Sequence, residues 1–306
     1  MTKVLVATDK PFAKVAVQGI KEIVEAAGFE LVLLEKYTEK KQLLDAVANV
    51  DALIIRSDIA DREVIEKAKN LKIVVRAGAG YDNIDLQAAT DKGVVAMNTP
   101  GQNANAVAEL VFGMIISSAR NGYDGTSGTE LRGKTFGVHA YGAIGKLVAQ
   151  IAKGFGMSVS AFDPFVNDQV IAADGVTVCR SIEELYANCQ YVSLHIPANE
   201  KTIKSINFDL LSKMPQNAVL INTARKKVID EDGMLKIMEA RNDFKYVSDV
   251  APSNQKTLVE KFDKRCFFTP KKLGAQTNEA NINAGLAAAR QIVSFIKNGD
   301  TKFKVN

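Results

Sequence analysis

The stretch Lys134–Gly156, KTFGVHAYGAIGKLVAQIAKGFG, decides the architecture. Thr135–His139 reads as a buried strand, and Ile144, Leu147, Val148 and Ile151 recur at helical spacing after a tight turn. Strand, glycine turn and helix in that order open a βαβ unit whose turn cradles a dinucleotide pyrophosphate. The three G-x-G-x-x-G positions fall at Ala140, Gly142 and Gly145, so the first glycine is replaced. The second lets backbone approach the pyrophosphate, and the third lets the helix pack on the strand. Ala143 and Ile144 begin a helix whose free N–H groups and positive dipole end face the phosphates. About twenty residues on, SVSAFDPF (158–165) brings Asp163 to the end of the next strand, the place for an acid that binds a ribose 2′-OH. A carboxylate there repels a 2′-phosphate and no arginine adjoins it, which favours NAD over NADP.

The same rhythm extends in both directions. KVLVAT (3–8), LVLLEKY (31–37), DALIIRS (51–57) and KIVVRAG (72–78) are short apolar runs with helical stretches between them. Apolar strands alternating with helices imply parallel sheets covered on both faces. Asn103–Arg120 reads as one long helix, and the Gly-, Ser- and Thr-rich stretch 121–133 as a loop separating two α/β halves. A second β-α series runs to about Thr269, and a helix over Glu279–Lys297 follows. The expected fold is α/β, with two doubly wound parallel-sheet domains. A chain of 306 residues has room for both.

Composition excludes several functions. The net charge of +4 is spread along the chain, too mild for a nucleic-acid footprint and compatible with an anionic small molecule. Cys179, Cys189 and Cys266 form no C-x-x-C pair, and with only His139 and His195 beside them no metal site is expected. Sparse cysteines, no signal peptide and no membrane-length apolar run point to a cytoplasmic protein without a membrane partner.

Further segments carry a family resemblance: RAGAGYDNIDLQAAT (76–90), MNTPGQNANAVAEL (97–110), LHIPANEKT (194–202), LINTARKKVIDEDGML (220–235), SDVAP (248–252) and TPKKLGAQT (269–277). In this order, with the dinucleotide turn, they resemble the D-isomer-specific 2-hydroxyacid dehydrogenases along nearly the whole chain. The resemblance implies a Rossmann-type NAD domain, residues 100–283, inserted in a flavodoxin-like substrate domain of residues 1–99 plus 284–306. It also implies an active site in the cleft, a homodimer through the helix at Asn103–Arg120, and no serine-sensing C-terminal regulatory domain. The implied reaction is oxidation or reduction of a small D-2-hydroxy acid.

Residue by residue, Arg225 matches the family arginine that binds the substrate carboxylate, a task suited to its planar fork. Asp249 and the backbone of Thr223 and Ala224 match the groups around the nicotinamide carboxamide. His195, Ile196 and Pro197 match the segment flanking the cofactor, and Gly274 sits in the turn beside the nicotinamide. The loop Arg76, Ala77, Gly78, Ala79 and Gly80 offers N–H groups to a carboxylate. Arg56 and Arg76, at strand carboxyl ends, are the expected phosphate cations, with Lys226 and Lys227 adding charge beside Arg225.

The chain departs from the family at the acid/base. The T-P-H-x-G histidine is replaced in Thr269-Pro270-Lys271-Lys272-Leu273-Gly274, which has one residue extra, and VAPSNQK after Asp249 lacks the partner glutamate. A lysine is the expected substitute: Lys272 when aligned from Leu273-Gly274, Lys271 when aligned from Thr269-Pro270. An amine serves as a base near neutral pH when it is desolvated or set beside another cation. The expected substrate is 3-phosphoglycerate, in serine biosynthesis. Glyoxylate, hydroxypyruvate or lactate are alternatives, as is an NAD-binding regulator without turnover.

Overall fold

The computed structural model describes residues 1–306. In chain order the elements are β1 (Lys3–Thr8), α1 (Lys14–Ala26), β2 (Glu30–Glu35), α2 (Lys40–Val47), β3 (Ala52–Ile55), α3 (Arg62–Lys67), β4 (Ile73–Arg76), α4 (Leu86–Asp91), β5 (Val95–Asn98) and α5 (Ala104–Ala119). There follow β6 (Thr135–His139), α6 (Ala143–Gly154), β7 (Ser158–Phe162), α7 (Asp168–Ala173), β8 (Thr177–Val178), α8 (Ile182–Asn188), β9 (Tyr191–Leu194) and α9 (Phe208–Ser212). The last are β10 (Val219–Asn222), α10 (Glu231–Ala240), β11 (Lys245–Ser248), α11 (Gln255–Phe262), β12 (Cys266–Phe268) and α12 (Asn278–Asn298). No helix is long and apolar enough to cross a membrane.

Two compact units divide the chain, Met1–Asn103 with Gln276–Asn306, and Ala104–Ala275. Against the expected bounds of 1–99 plus 284–306 and 100–283, the whole of α12 joins the first unit. Thr277 caps it by accepting the Ala280 N–H at 3.1 Å, and Ile282 already packs into that unit's core. The loop 121–133, expected to separate the halves, lies instead inside the second unit. Its glycines mark a chain reversal: the Thr129 N–H bonds to Ala119 O at 2.8 Å, and Lys264 pairs with Asp124 at 2.6 Å. Helix α5 before it packs Val111, Phe112 and Ile115 into one core with Phe136 and Val138, which ties it to the second sheet.

The first unit has a five-stranded parallel sheet in the order β2-β1-β3-β4-β5, the flavodoxin-like arrangement. Its inner strands β1, β3 and β4 carry unbroken apolar runs because alternate residues serve opposite faces, whereas edge strand β2 begins and ends in glutamate. Leu5, Leu53, Ile55 and Val74 pack in one core, whereas Val6, Ile54 and Val75 pack with Ile20 of α1 and Ala288 of α12 in the other. Truncating fully buried Ile20 to alanine costs about 2–5 kcal/mol.

The second unit has seven parallel strands in the order β12-β11-β10-β9-β6-β7-β8. Progress outward from β6 through β7 to β8, then a return to β9 on β6's other side, is the doubly wound Rossmann topology. Its ligand crevice opens beyond the strand carboxyl ends where the order reverses, between β6 and β9.

Candidate active site

The turn Ala140–Gly142 leaves β6 at that reversal point. Gly142 is the N-cap of α6 and supplies no side-chain cap, and the first helical bond is Lys146 N–H to Gly142 O at 3.0 Å. The N–H groups of Ala143, Ile144 and Gly145 therefore face out of the helix end, as a pyrophosphate requires. A Cβ on Gly145 would overlap the Ala140 carbonyl oxygen, so glycine is what lets helix and strand meet. At Gly142 a Cβ would find nothing within 4 Å, which leaves the approach over the turn open. Ala140, in place of the first glycine, takes φ +82°. Asp163 closes the turn: Oδ2 accepts the Tyr141 N–H at 2.7 Å and Oδ1 the Phe165 N–H at 2.9 Å.

The neighbouring strand ends carry unpaired polar atoms. Thr223 Oγ1, after β10, and both ring nitrogens of His195, after β9, are buried without a partner. Such a group costs about 1–3 kcal/mol, which a ligand with matching donors and acceptors recovers. This edge thus fits a dinucleotide by both its open helix end and its unpaired atoms. Ile196 is buried, and the Pro197 carbonyl accepts from Thr202 Oγ1 at 2.6 Å. His139 is buried in β6 with Nδ1 3.3 Å from the Tyr186 hydroxyl. Burial pulls it down to about 4, and burial and then His139 pull His195 down to about 3, so both imidazoles are neutral at pH 7.

Beyond β10 the chain presents Arg225, exposed and in extended conformation. Asn222, which the sequence does not single out, builds this turn. Its Oδ1 accepts the Ala224 N–H at 2.9 Å and its Nδ2 donates to Arg225 O at 3.1 Å. Arg225 Nη1 donates to Ala224 O at 3.0 Å. The neighbouring strand β11 is joined to it, since Asp249 N–H and Ser248 Oγ both donate to Asn222 O at 3.0 Å.

Asp249, 1% exposed, gathers the turn after β12. Oδ1 accepts from Thr269 Oγ1 at 2.8 Å and from the Leu273 N–H at 2.7 Å, and Oδ2 accepts the Gly274 N–H at 2.9 Å. Both ends of Thr269–Gly274 are thereby fixed, and exposed Lys271 and Lys272 sit on the bulge between them.

In the first unit, Thr99 N–H donates to Gly78 O at 2.9 Å and Asn98 Nδ2 to Ala79 O at 2.6 Å. Peptide planarity turns the Ala79 and Gly80 N–H groups the opposite way, leaving a donor edge. A Cβ on Gly78 would overlap the Arg76 guanidinium, which lies across the loop with Nε 3.0 Å from Arg56 O. Arg56 is held by the Lys10 and Pro11 carbonyls and by Asn281. Asn98 and Ser248 act through backbone groups of other segments, a role without a local sequence signature, whereas Asn222 shapes its own turn.

Residues 111–270 match the model for the D-isomer specific 2-hydroxyacid dehydrogenase NAD binding domain. That is half of the chain.

The chain belongs to the D-isomer specific 2-hydroxyacid dehydrogenases.

A D-3-phosphoglycerate dehydrogenase of Methanocaldococcus jannaschii is 34% identical over 97% of this chain, which spans only 58% of that relative's length. A hydroxypyruvate reductase of Thermotoga maritima is 33% identical over 86% of this chain and 90% of its own. The crystal structure of NAD⁺-bound 3-phosphoglycerate dehydrogenase from Entamoeba histolytica superposes with a TM-score of 0.87, at 46% identity over 100% of this chain and 98% of that one.

Proposed function

We propose that this chain catalyses the NAD-dependent oxidation of D-3-phosphoglycerate to 3-phosphohydroxypyruvate, within serine biosynthesis. One observation carries the reading: adjacent strands β10 and β11 are joined through Asn222 and Asp249, the turn after β10 offers the Arg225 guanidinium, and Asp249 clamps the backbone of the turn after β12 that bears Lys272. The NAD-bound Entamoeba structure and the Methanocaldococcus relative support the same assignment.

Gly142, Ala143, Ile144, Gly145 and Asp163 would hold the pyrophosphate and ribose, with Ile196, Thr223, Ala224 and Asp249 toward the nicotinamide. NAD, when bound, supplies the acceptor for the hydride leaving C2. Arg225 binds the carboxylate and polarises the C2 oxygen as it becomes a carbonyl. Lys272 takes the hydroxyl proton on Nζ, replacing the family's histidine and glutamate. Lys272 is preferred to Lys271 because it adjoins Leu273 and Gly274, the two residues whose N–H groups Asp249 holds. The Ala79–Gly80 donor edge faces the carboxylate, and Arg56 and Arg76 the phosphate, with Lys226 and Lys227 adding positive charge. A homodimer through α5 and a cytoplasmic setting, supported by three free cysteines, complete the reading.

A second reading, reduction of hydroxypyruvate, is favoured by the near-complete length match to the Thermotoga relative. NADH absorbance with phosphorylated and unphosphorylated 2-hydroxy and 2-keto acids separates the two. Lys272→Ala is expected to abolish turnover and Lys271→Ala to retain it; full turnover by Lys272→Ala overturns the acid/base assignment.

A further inference from the structure

Arg56 leaves the carboxyl end of β3 with its guanidinium held on several sides. Nη1 lies 3.0 Å from Lys10 O and 3.2 Å from Pro11 O, and Nη2 lies 2.6 Å from Asn281 Oδ1. The Phe12 ring centroid is 5.0 Å from Cζ. A guanidinium has five N–H donors, and the Nε–H and one Nη2–H take no part in these bonds. They sit on adjacent nitrogens, the arrangement that grips two oxygens of a phosphate side-on.

Two of the anchors depend on α12. Asn281 lies in its first turn, and Nδ2 donates to Thr277 O at 2.8 Å. That bond fixes which way the amide faces and leaves Oδ1 to Arg56. Phe12 is backed by Gly285, where a Cβ would lie 3.0 Å from Phe12 Cε1. An arginine already fixed loses less rotamer freedom when an anion arrives, so the affinity gained is larger.

We infer that Asn281 is a positioning residue that aims Arg56 at the substrate phosphate and thereby sets the preference for phosphorylated over unphosphorylated 2-hydroxy acids. The inference rests on the reading of Arg56 as a phosphate cation. An unphosphorylated acid has no group for the aimed edge, so the effect appears in the ratio of the two affinities.

The test uses the full chain with NADH, titrated with 3-phosphoglycerate and with glycerate by calorimetry, beside kcat and KM. Asn281→Leu removes the acceptor and is expected to lower the affinity ratio about tenfold, with the loss in KM for 3-phosphoglycerate more than in kcat. Asn281→Gln keeps an amide oxygen and is expected to recover the ratio to within about threefold. Asn281→Ser, which also withdraws the acceptor, is measured in parallel so that a folding failure of the leucine variant does not decide the matter. Equal losses for both acids and for NADH indicate a merely structural role and overturn the inference. Arg56→Gln separates it from its premise. An unchanged ratio in Arg56→Gln overturns the phosphate reading and the inference together. A lowered ratio there, with Asn281→Leu and Asn281→Ser unchanged, overturns the inference alone.

Discussion

Asp249 Oδ2 accepts the backbone N–H of Gly274 at 2.9 Å, 25 residues further along the chain. With Leu273 N–H and Thr269 Oγ1 on the other oxygen, one buried carboxylate sets the shape of the turn that carries Lys272. A carboxylate is suited to this because it offers acceptor positions only, and all three groups donate.

Asp249→Asn should therefore be severe despite its matching size. One carboxylate oxygen becomes an NH₂ group, which cannot accept and would face a backbone N–H. The cost is about 2–3 kcal/mol for lost charge-assisted bonds and an unpaired buried donor. For the domain concerned, thermal unfolding should move down by roughly 5–10 °C, as calorimetry would read. Turnover should fall further than stability predicts, because the lysine turn loses its register. A variant with wild-type melting and wild-type kcat contradicts this account of Asp249.

Arg225 makes a complementary prediction. Its neighbours Ala224 and Asn222 fix the backbone, leaving most of the guanidinium for a ligand. Arg225→Lys keeps the charge but loses the bidentate fork, so kcat/KM should drop about 10²–10³-fold, or roughly 3–4 kcal/mol. Stability should scarcely change, since the side chain is exposed. Steady-state kinetics beside urea unfolding measures both. Comparable kcat/KM in the lysine variant would place the carboxylate elsewhere.

Ala140 stores strain in the dinucleotide turn. Its φ of +82° is a region in which a Cβ costs about 1–2 kcal/mol, and its methyl is only partly buried against the core of the second unit. Ala140→Gly removes that cost but frees the unfolded chain by about 0.4–1 kcal/mol, for a net stabilisation on the order of 0.5–1 kcal/mol. Ala140→Val should destabilise by more than 2 kcal/mol, roughly, because β-branching adds to the clash. Denaturant midpoints for the pair test this, and a destabilised glycine variant refutes it.

The sheets were readable from the chain because parallel strands buried on both faces are apolar without interruption, as in Val4–Ala7 and Ala52–Ile55. The glycine turn was readable because Gly145 must admit the Ala140 carbonyl. Arg56 and Asn281 are 225 residues apart, and their bond leaves no periodicity in either segment. The same is true of Ser248, whose hydroxyl donates to the Asn222 carbonyl on the neighbouring strand. The loop 121–133 misleads for a different reason: glycine content reports that a chain turns, and whether the turn divides domains depends on what α5 packs against. The extra residue in Thr269–Gly274 leaves two alignments open in sequence, while the bonds to Asp249 support counting from Leu273 and Gly274.

The buried imidazoles predict a pH dependence of folding. Burial lowers His139 to about 4 and His195 to about 3, against roughly 6.5 in an unfolded chain. Between those values the unfolded state binds the protons that the folded state refuses. Their stabilising contribution is thus complete above pH 6.5, roughly, and is lost as the pH falls toward 4, with a slope of up to about 1.4 kcal/mol per pH unit for each histidine. The groups facing His139 are Tyr186 from α8, Phe162 and Asp163 from β7 and its end, and His195 after β9. Of these only Asp163 opposes the shift, and burial outweighs it in its effect on the ring. Carboxylates act at lower pH: Arg241 holds Asp243 at about 2, so that contribution is lost only on further acidification. Urea unfolding from pH 7 to pH 4.5 should show stability falling with acid, and His139→Ile should reduce the proton uptake on unfolding by nearly one at pH 5. A variant with the same pH slope as the parent would mean that His139 is protonated in the folded protein.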